Sequence, residues 1–323
     1  MGLYTQFRTA ARFTGENKLE LLAKIEGSED YQSHIRKLAS HSQERKIIKS
    51  RFKFGEVYLR DESGRLVPAP IEYHGYQRKD EDTIDQALRE LSSDLSQKLG
   101  YLPNITSITI PRGLDYIAKH HMYDTLCDGD SIPQVSQPWQ VLGFLDATRS
   151  AYDLDNTEGP EPKVPRNIYH DHDFLVLYVD YNAYSLDFWV ATIAEFTAGL
   201  VGDEPPFSFR HQDLAASYGN DDDSKTKQSR VETAIQQLLA DLFSREEAED
   251  LNVIILSGEA SPKSMDSLGQ TIRKMVPRTW QGIIRDQLDP NFVTAIGAAH
   301  RARKFIQRPE LWKVQNSHTH DEL

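Results

Sequence analysis

The sequence predicts an α/β fold, because segments with the character of buried strands alternate with amphipathic helices. The apolar runs at 174–180 and 253–256 are rich in β-branched and aromatic residues, as buried strands are. Between residues 82 and 99, leucine and isoleucine recur on one face of a helix, and Gly100 follows where a helix commonly ends.

The first 50 residues are polar, and they are predicted to be mostly helical because Leu19, Leu22 and Ile25 recur at helical spacing. Residues 203–228 are predicted to be a charged loop. The other predicted strands are, in order, two around a turn in 52–73, then 105–110, 186–193, 196–201 and 280–284. The other predicted helices are 231–243, 265–276 and 292–306.

Composition narrows the class of protein. The chain has 323 residues, a formal net charge of −12 and one cysteine, Cys127. The acidity argues against a sequence-independent nucleic-acid binder, which needs a basic face. One cysteine allows no disulfide within the chain, and no run approaches the roughly 20 apolar residues that span a bilayer.

The two ends of the sequence bear on location. Residues 1–18 contain no apolar core of signal-peptide length, so a cytoplasmic location is predicted. The chain nevertheless ends in His320-Asp321-Glu322-Leu323, which matches a tail that receptors of the endoplasmic reticulum retain. An accidental match or an incomplete gene model is favoured over residence in the lumen.

Three segments carry short motifs in a fixed order. A predicted helix ends in the run 151–155, an apolar strand ends in Asp180 before a hairpin, and a strand ending in Ser257-Gly258 precedes the segment 289–299. In this order they resemble the connecting helix, the second phosphate loop and the adenosine loop of the nucleotide-binding domain of 70-kDa heat-shock chaperones. The resemblance covers about residues 50–308.

The resemblance implies an actin-like (ribonuclease H-like) two-lobed ATPase fold. Its parts are a divergent helical segment 1–50, a remnant of the first lobe 51–155, a second lobe 156–308 and a flexible tail 309–323. The first lobe is expected to be incomplete, because no Asp-x-Gly-Thr-Thr hairpin occurs before residue 50. An incomplete sheet leaves an exposed edge, which favours a homodimer or coverage by residues 1–50.

The second phosphate loop departs from the family pattern. Its three glycine positions hold Asn182, Ala183 and Tyr184, and side chains there obstruct the approach of phosphate oxygens to backbone N–H groups. The resemblance assigns water-mediated Mg²⁺ binding to Asp180, and Ser185 and Asp187 keep the hydroxyl and the second carboxylate.

The other two motifs are also altered. Ser257 and Gly258 replace a glycine pair in the adenosine loop, and Phe144 stands where the family has a catalytic glutamate, with Asp146 nearby. Phosphoryl transfer depends on positioning and electrostatics, so no meaningful ATP hydrolysis is expected, and binding of Mg²⁺ and adenine nucleotide is expected to be weak. The alternative to a ligand-binding role is that Asp180 and Asp187 are structural and only form hydrogen bonds with the loop backbone.

The first functional hypothesis is a degenerate chaperone-type protein that acts by contact with a protein partner. The second is a repurposed enzyme, a cyclase or isomerase of secondary metabolism acting on a small molecule such as an isoprenoid. Its inter-lobe cleft is lined by Tyr181, Tyr184, Phe144 and Asp146, with Asp180 as acid or base. A third possibility is a gene-model fragment without independent function.

Two acidic clusters suggest metal binding, but both are better explained as charged surface loops. His170-Asp171-His172-Asp173 alternates ligand types before a buried strand. Asn220-Asp221-Asp222-Asp223-Ser224 vaguely resembles one metal motif of class I terpene cyclases, without the second Asp-rich helix of that family.

Overall fold

The computed structural model of the chain is a mixed α/β structure built around two larger sheets. The described residues are 2–3, 7–14, 18–35, 58–60, 66–68, 72–110, 135, 140–154, 175–182, 185–192, 207–213, 224–243 and 251–308.

The first sheet has five strands in the order β3-β2-β1-β6-β7. These strands are β1 (Gly2–Leu3), β2 (Phe7–Thr14), β3 (Lys18–Glu26), β6 (Ile108–Thr109) and β7 (Val141–Leu142). The strands β1, β2 and β3 are antiparallel to one another, whereas β6 runs parallel to β1 and β7 parallel to β6.

The second sheet also has five strands, in the order β10-β9-β8-β11-β12. They are β8 (Leu175–Tyr181), β9 (Ser185–Thr192), β10 (Phe207–Asp213), β11 (Leu251–Ser257) and β12 (Ile284–Arg285). Here too the first three strands are antiparallel, and β8, β11 and β12 are parallel. The two sheets therefore share one strand order and one pattern of strand directions.

The helices cover the faces of these sheets. They are α1 (29–35), α2 (Glu72–Leu99), α3 (Phe144–Ala151), α4 (Ser224–Phe243), α5 (Pro262–Met275) and α6 (Val293–Gln307), with a 3₁₀ helix at Arg278–Ile283. A separate antiparallel pair, β4 (Tyr58–Arg60) and β5 (Leu66–Pro68), lies between α1 and α2 in sequence.

The buried apolar residues of the described part form three clusters, which lie between the helices and the two sheets. In the outer core of the first sheet, α1 and the leucine stripe of α2 contact Ala10 and Ile108. In the middle core, α3 and α6 lie against Ala11 of the first sheet and Tyr178 of the second. On its other face, the second sheet contacts α4 and α5. Since both faces of the central strands are covered, their sequences are continuously apolar.

The close packing of α3 against α6 in the middle layer depends on one glycine, Gly297. A Cβ atom added to Gly297 of α6 would lie 1.8 Å from the carbonyl oxygen of Ala147 in α3. No side chain fits this crossing, so the two helices are in backbone contact. Because α6 also contacts the first sheet, with Phe13 and His300 rings 4.9 Å apart, this layer joins both sheets.

The helical prediction for residues 1–50 is wrong for the part that begins the chain, because residues 2–3, 7–14 and 18–26 are strands. This part of the chain therefore supplies three of the five strands of the first sheet. The misleading signal comes from a β-bulge in β3: Ala10 pairs with Ala23 and Ala11 with Leu21, which leaves Leu22 as an extra residue. A bulge reverses the alternation of faces, so apolar residues recur at irregular spacing.

The bulge also affects the exposed edge that the sequence predicted. As the outermost strand of the first sheet, β3 carries exposed Lys18 and Lys24 beside the bulged Leu22. Bulges and lysines on an edge strand discourage pairing with a second chain. This edge gives no support to a homodimer.

Further along the chain, most predicted elements are confirmed with shifted bounds. The strands around a turn in 52–73 are β4 and β5, and Gly100 ends α2 with a φ of 74°. The prediction of a charged loop at 203–228 is wrong in part, because these residues include β10 and the beginning of α4. A 3₁₀ helix occupies most of the predicted strand 280–284. The predicted strand at 196–201 lies outside the described residues.

Among the described residues, no helix combines the length and the apolar character that crossing a membrane requires.

Candidate functional site

The candidate site lies at the carboxyl ends of two neighbouring parallel strands, β8 and β11. Asp180 near the end of β8 stands beside Ser257, the last residue of β11. Ligands of open α/β sheets commonly bind outside the carboxyl ends of the strands, so this is where the sheet topology favours a site.

A hydrogen-bond network joins the polar side chains of the site. The Ser257 hydroxyl donates to Asp180 Oδ1 at 2.9 Å, and Asn182 Nδ2 donates to Asp180 Oδ2 at 2.7 Å. Asn182 Oδ1 in turn accepts the backbone N–H of Glu259 at 3.2 Å. All four residues are buried, so each of these bonds also satisfies a group that water does not reach.

The backbones of the two loops are also in contact. Gly258 has a φ of 132°, and a Cβ atom there would lie 2.1 Å from the carbonyl oxygen of Tyr181. The N–H of Ala260 donates to that same oxygen at 2.9 Å. Only glycine fits position 258, and the loop after β11 is closed against the end of β8.

The strand register extends this polar group across the sheet. Asp187 on β9 is directly opposite Asp180, and His211 on β10 is directly opposite Asp187. Ser257, Asp180, Asp187 and His211 therefore occupy one row across four adjacent strands. Sequence reasoning missed His211 because it placed this residue in a charged loop. Alternation of the apolar Phe207 and Phe209 with polar residues is the signal that favours a strand there.

The structure brings together Asp180, Asn182, Ser257 and Gly258 of the predicted site, with Asp187 beside Asp180 in the register. Tyr181 does not line a cleft: its side chain is 3% exposed and lies in the outer core against α4 and α5. This correction follows from strand geometry, since Tyr181 follows Asp180 in β8 and neighbouring side chains point to opposite faces.

The other predicted site residues lie elsewhere or outside the described part. Phe144 is buried at the beginning of α3, and Asp146 pairs with Arg149 of the same helix at 3.0 Å. Tyr184 lies outside the described residues, as do Ala183 and the clusters at 170–173 and 220–223. For Ser185, the structure describes only its place at the start of β9.

Asp146 and Arg149 act electrostatically on β8. Burial raises the pKa of Tyr178 well above its ordinary value, Arg149 opposes this shift, and Asp146 adds to it. Tyr178 lies two residues before Asp180 on the same face of the strand. The α3 ion pair therefore lies close to the inner face of the second sheet, within the middle layer.

Glu259 connects the site electrostatically to helix α1, which covers the first sheet. Tyr31 of α1 is 1% exposed, and its pKa is raised first by burial and then by the negative charge of Glu259. The guanidinium of Arg8 lies 5.9 Å from the centre of the Tyr31 ring and partly offsets this shift. Glu259 is itself 4% exposed, so its charge acts through protein rather than through water.

The described residues fit a Mg²⁺–nucleotide complex poorly. Both oxygens of Asp180 accept hydrogen bonds from Ser257 and Asn182, and the Asn182 side chain occupies the first glycine position of the resembled loop. Within the described ranges, no three His, Cys, Asp or Glu side chains converge as a metal site requires.

No protein-family model matches the chain. No curated protein is significantly similar to it in sequence.

Proposed function

We propose that the chain has an actin-like, two-lobed fold and acts through protein contacts rather than ATP hydrolysis, as a degenerate relative of chaperone nucleotide-binding domains. The first support is the repetition of one topology. In each sheet, the three strands that come first along the chain are antiparallel to one another, and the two later strands run parallel to the first of them. The third strand along the chain lies at one edge of the sheet. A duplicated unit of this kind is what the resemblance implies, and it extends the first lobe to residue 2.

A single backbone conformation gives independent support. Asp153 has a φ of 57°, the one positive φ outside glycine among the described residues. The run Ala151-Tyr152-Asp153-Leu154-Asp155 resembles a family run with glycine at the position of Asp153. Left-handed backbone is what glycine adopts most readily and aspartate tolerates, so the substitution keeps the local geometry.

The observation that carries the functional proposal is the pair of hydrogen bonds made by Asn182. Its amide reaches Asp180 on one side and the N–H of Glu259 on the other. In the resembled loop, a glycine here leaves space for phosphate oxygens. In this chain the asparagine side chain fills that place and takes up one of the backbone donors.

The first sheet supplies no acidic counterpart. The β1–β2 and β8–β9 hairpins have connections of equal length. As many residues lie between the paired Leu3 and Arg8 as between the paired Tyr181 and Leu186. With the hairpins matched in this way, Gly2 and Thr9 stand where Asp180 and Asp187 stand in the second sheet. The carboxylates thus lie on one side only, which disfavours a two-sided clamp around a metal–phosphate group.

The repurposed cyclase or isomerase is less well supported. It requires Tyr181 to line a cleft and Asp180 to exchange protons with a substrate. Tyr181 lies in the outer core, and Asp180 is 2% exposed with hydrogen bonds on both oxygens. A general acid or base must reach the proton that it transfers.

The test of the catalytic part is calorimetric titration of the full chain with ATP and ADP, each with Mg²⁺, beside a phosphate-release assay. A nucleotide-binding domain of an intact chaperone is the positive control. We expect at most weak binding and no release of phosphate above background. Tight binding with rapid turnover would overturn the proposal.

The interaction part needs a separate measurement. Partners cross-linked to the chain in cells should be recovered equally with and without Mg²⁺–ATP, because the site responds to no nucleotide. Exchange of partners on addition of ATP would contradict a nucleotide-independent scaffold. The cytoplasmic location stays a prediction, and fluorescence microscopy of the chain with and without its four C-terminal residues tests it.

A further inference from the structure

A surface depression of about 190 Å³ lies between helix α5 and the segment that follows β12. Its apolar lining comes from Leu256, Met265, Leu288 and Pro290. It lies beside the carboxyl ends of the parallel strands β11 and β12, a place where α/β sheets commonly bind ligands. The network around Asp180 and Asn182 does not contribute to its lining.

Gly269 keeps this depression open. It lies inside α5, where glycine weakens a helix, yet no neighbouring backbone requires it. A Cβ atom at 269 would lie 3.6 Å from Leu256 Cδ1 and 3.1 Å from a nitrogen at the mobile end of Arg273. At Gly297, by contrast, a Cβ atom would collide with backbone at 1.8 Å. The effect of Gly269 is therefore to leave space rather than to allow close packing.

The charges at the rim select one kind of ligand. Arg273 forms an ion pair with Asp286, so its guanidinium already has an anionic partner. The side chains of Asp266 and Gln270 form no hydrogen bond or ion pair with the described residues, and both residues are exposed at the rim. Two carboxylates and one guanidinium leave a net charge of about −1 around an apolar floor.

We propose that this depression is a binding site for a small organic monocation, an amine with an apolar ring or short alkyl body. The body covers Met265 and Leu256, where a thioether and an aliphatic side chain give polarisable contact. The ammonium group lies at the rim, near Asp266 and Asp286. An anionic ligand would face both carboxylates, and Arg273, the cation among the described lining residues, is already paired with Asp286.

The probe is 2-phenylethylamine, titrated into the full chain labelled with ¹³C at the methionine methyl groups. The chain has four methionines, so the spectrum is simple. Met265 lines the depression, whereas Met275 lies at the end of the same helix outside it. We expect a saturable shift of the Met265 signal with Met275 unmoved. The neutral 2-phenylethanol should bind more weakly, and the anionic 3-phenylpropionate more weakly still.

Two variants locate the site. Gly269→Ala places a methyl group on the floor and should weaken the amine about tenfold. Its matched control is Gly282→Ala, where an added Cβ has no neighbour within 4 Å, and its affinity should be that of the wild type. Asp266→Asn should weaken the amine about threefold, as loss of an exposed charge contact does.

No saturable shift of Met265 with the amine would overturn the proposal. So would equal affinity for the amine and the carboxylate, or wild-type affinity in Gly269→Ala. Since α5 gains helix propensity from alanine, loss of binding in that variant with an unchanged Met275 signal supports the proposal rather than reporting unfolding.

Discussion

Ser257 donates a hydrogen bond of 2.9 Å to Asp180 across two adjacent parallel strands, and this bond ties the last residue of β11 to the end of β8. Asn182 binds the other carboxylate oxygen at 2.7 Å. A structural carboxylate and a functional one differ in their effect on stability. Removal of a structural carboxylate leaves its hydrogen-bond donors without an acceptor and destabilises the protein. Removal of a functional carboxylate often relieves strain and stabilises the protein.

Asp180→Ala should therefore lower the free energy of unfolding by about 2–4 kcal/mol, because a hydroxyl and an amide lose a charged acceptor in a buried place. Urea unfolding followed by circular dichroism measures this effect. The exposed Asp94→Ala on α2 is the control, and it should stay within about 0.5 kcal/mol of the wild type. A more stable Asp180→Ala variant would contradict the structural role and favour a binding or catalytic one.

Gly297→Ala should be among the most damaging small substitutions in the chain. The added methyl group would lie 1.8 Å from the Ala147 carbonyl oxygen, so α6 and α3 must separate. We expect a loss of about 3 kcal/mol, which exceeds the gain in helix propensity of about 1 kcal/mol. The control is Gly282→Ala, which meets open space. Equal melting temperatures for the two variants would show that the helices do not cross at this point.

Arg8 binds three acceptors from inside the outer core of the first sheet. Its guanidinium donates to the carbonyls of Ala87 and Glu26, at 2.7 and 3.1 Å, and pairs with Glu90 at 2.7 Å. Arg8→Met should cost about 3 kcal/mol in urea unfolding, because it removes three hydrogen bonds of a buried guanidinium, one of them an ion pair. Arg8→Lys should not restore this loss, since an ammonium cannot reproduce the planar fork.

The matched control for Arg8 is Arg12 on the same strand. Arg12 pairs with Glu20 at 2.8 Å, but both side chains are about one-third exposed or more. Arg12→Met should cost at most about 1 kcal/mol. If the two methionine variants were equally stable, Arg8 would not be a buried structural residue, and the assignment of residues 7–14 to a central strand would be in doubt.

Three tyrosines should resist alkaline ionisation. Burial is the largest cause that raises the pKa of Tyr31, Tyr152 and Tyr178, assisted by nearby Glu259, Asp286 and Asp146 respectively. A folded pKa above the ordinary value of 10.0 favours the folded state while the unfolded tyrosine is neutral, and this stability is lost as the pH rises above that value. Absorbance at 295 nm should show part of the 14 tyrosines ionising normally and the rest only with loss of circular dichroism.

Tyr178→Phe identifies the contribution of one of them. It should remove one late-ionising phenol and make stability less dependent on pH above 10, without changing the early phase. Ionisation of all tyrosines in a single early phase, with the native spectrum preserved, would contradict the burial of these three residues.

The sequence determined the elements whose physics is local. An uninterrupted apolar run predicted β8 and β11, a leucine stripe predicted most of α2, and Gly100 marked its end with a φ of 74°. These signals depend on residue type and spacing along the chain. They also predicted that Asp180 and Ser257 stand at the ends of strands, where a site is favoured.

Tertiary structure decided what depends on pairing between distant segments. Hydrophobic periodicity did not predict the strand β3, because the bulge at Leu22 breaks the alternation of apolar and polar residues. Its pairing with β2 makes it a strand. His211 joins the row beside Asp187 only through the β9–β10 register.

The same holds for the site. That Asn182 binds both Asp180 and Glu259 depends on two loops 77 residues apart meeting in space, and no local pattern contains that information. Sequence alone therefore identified which residues stand at the strand ends, and the fold decided that they bond to one another.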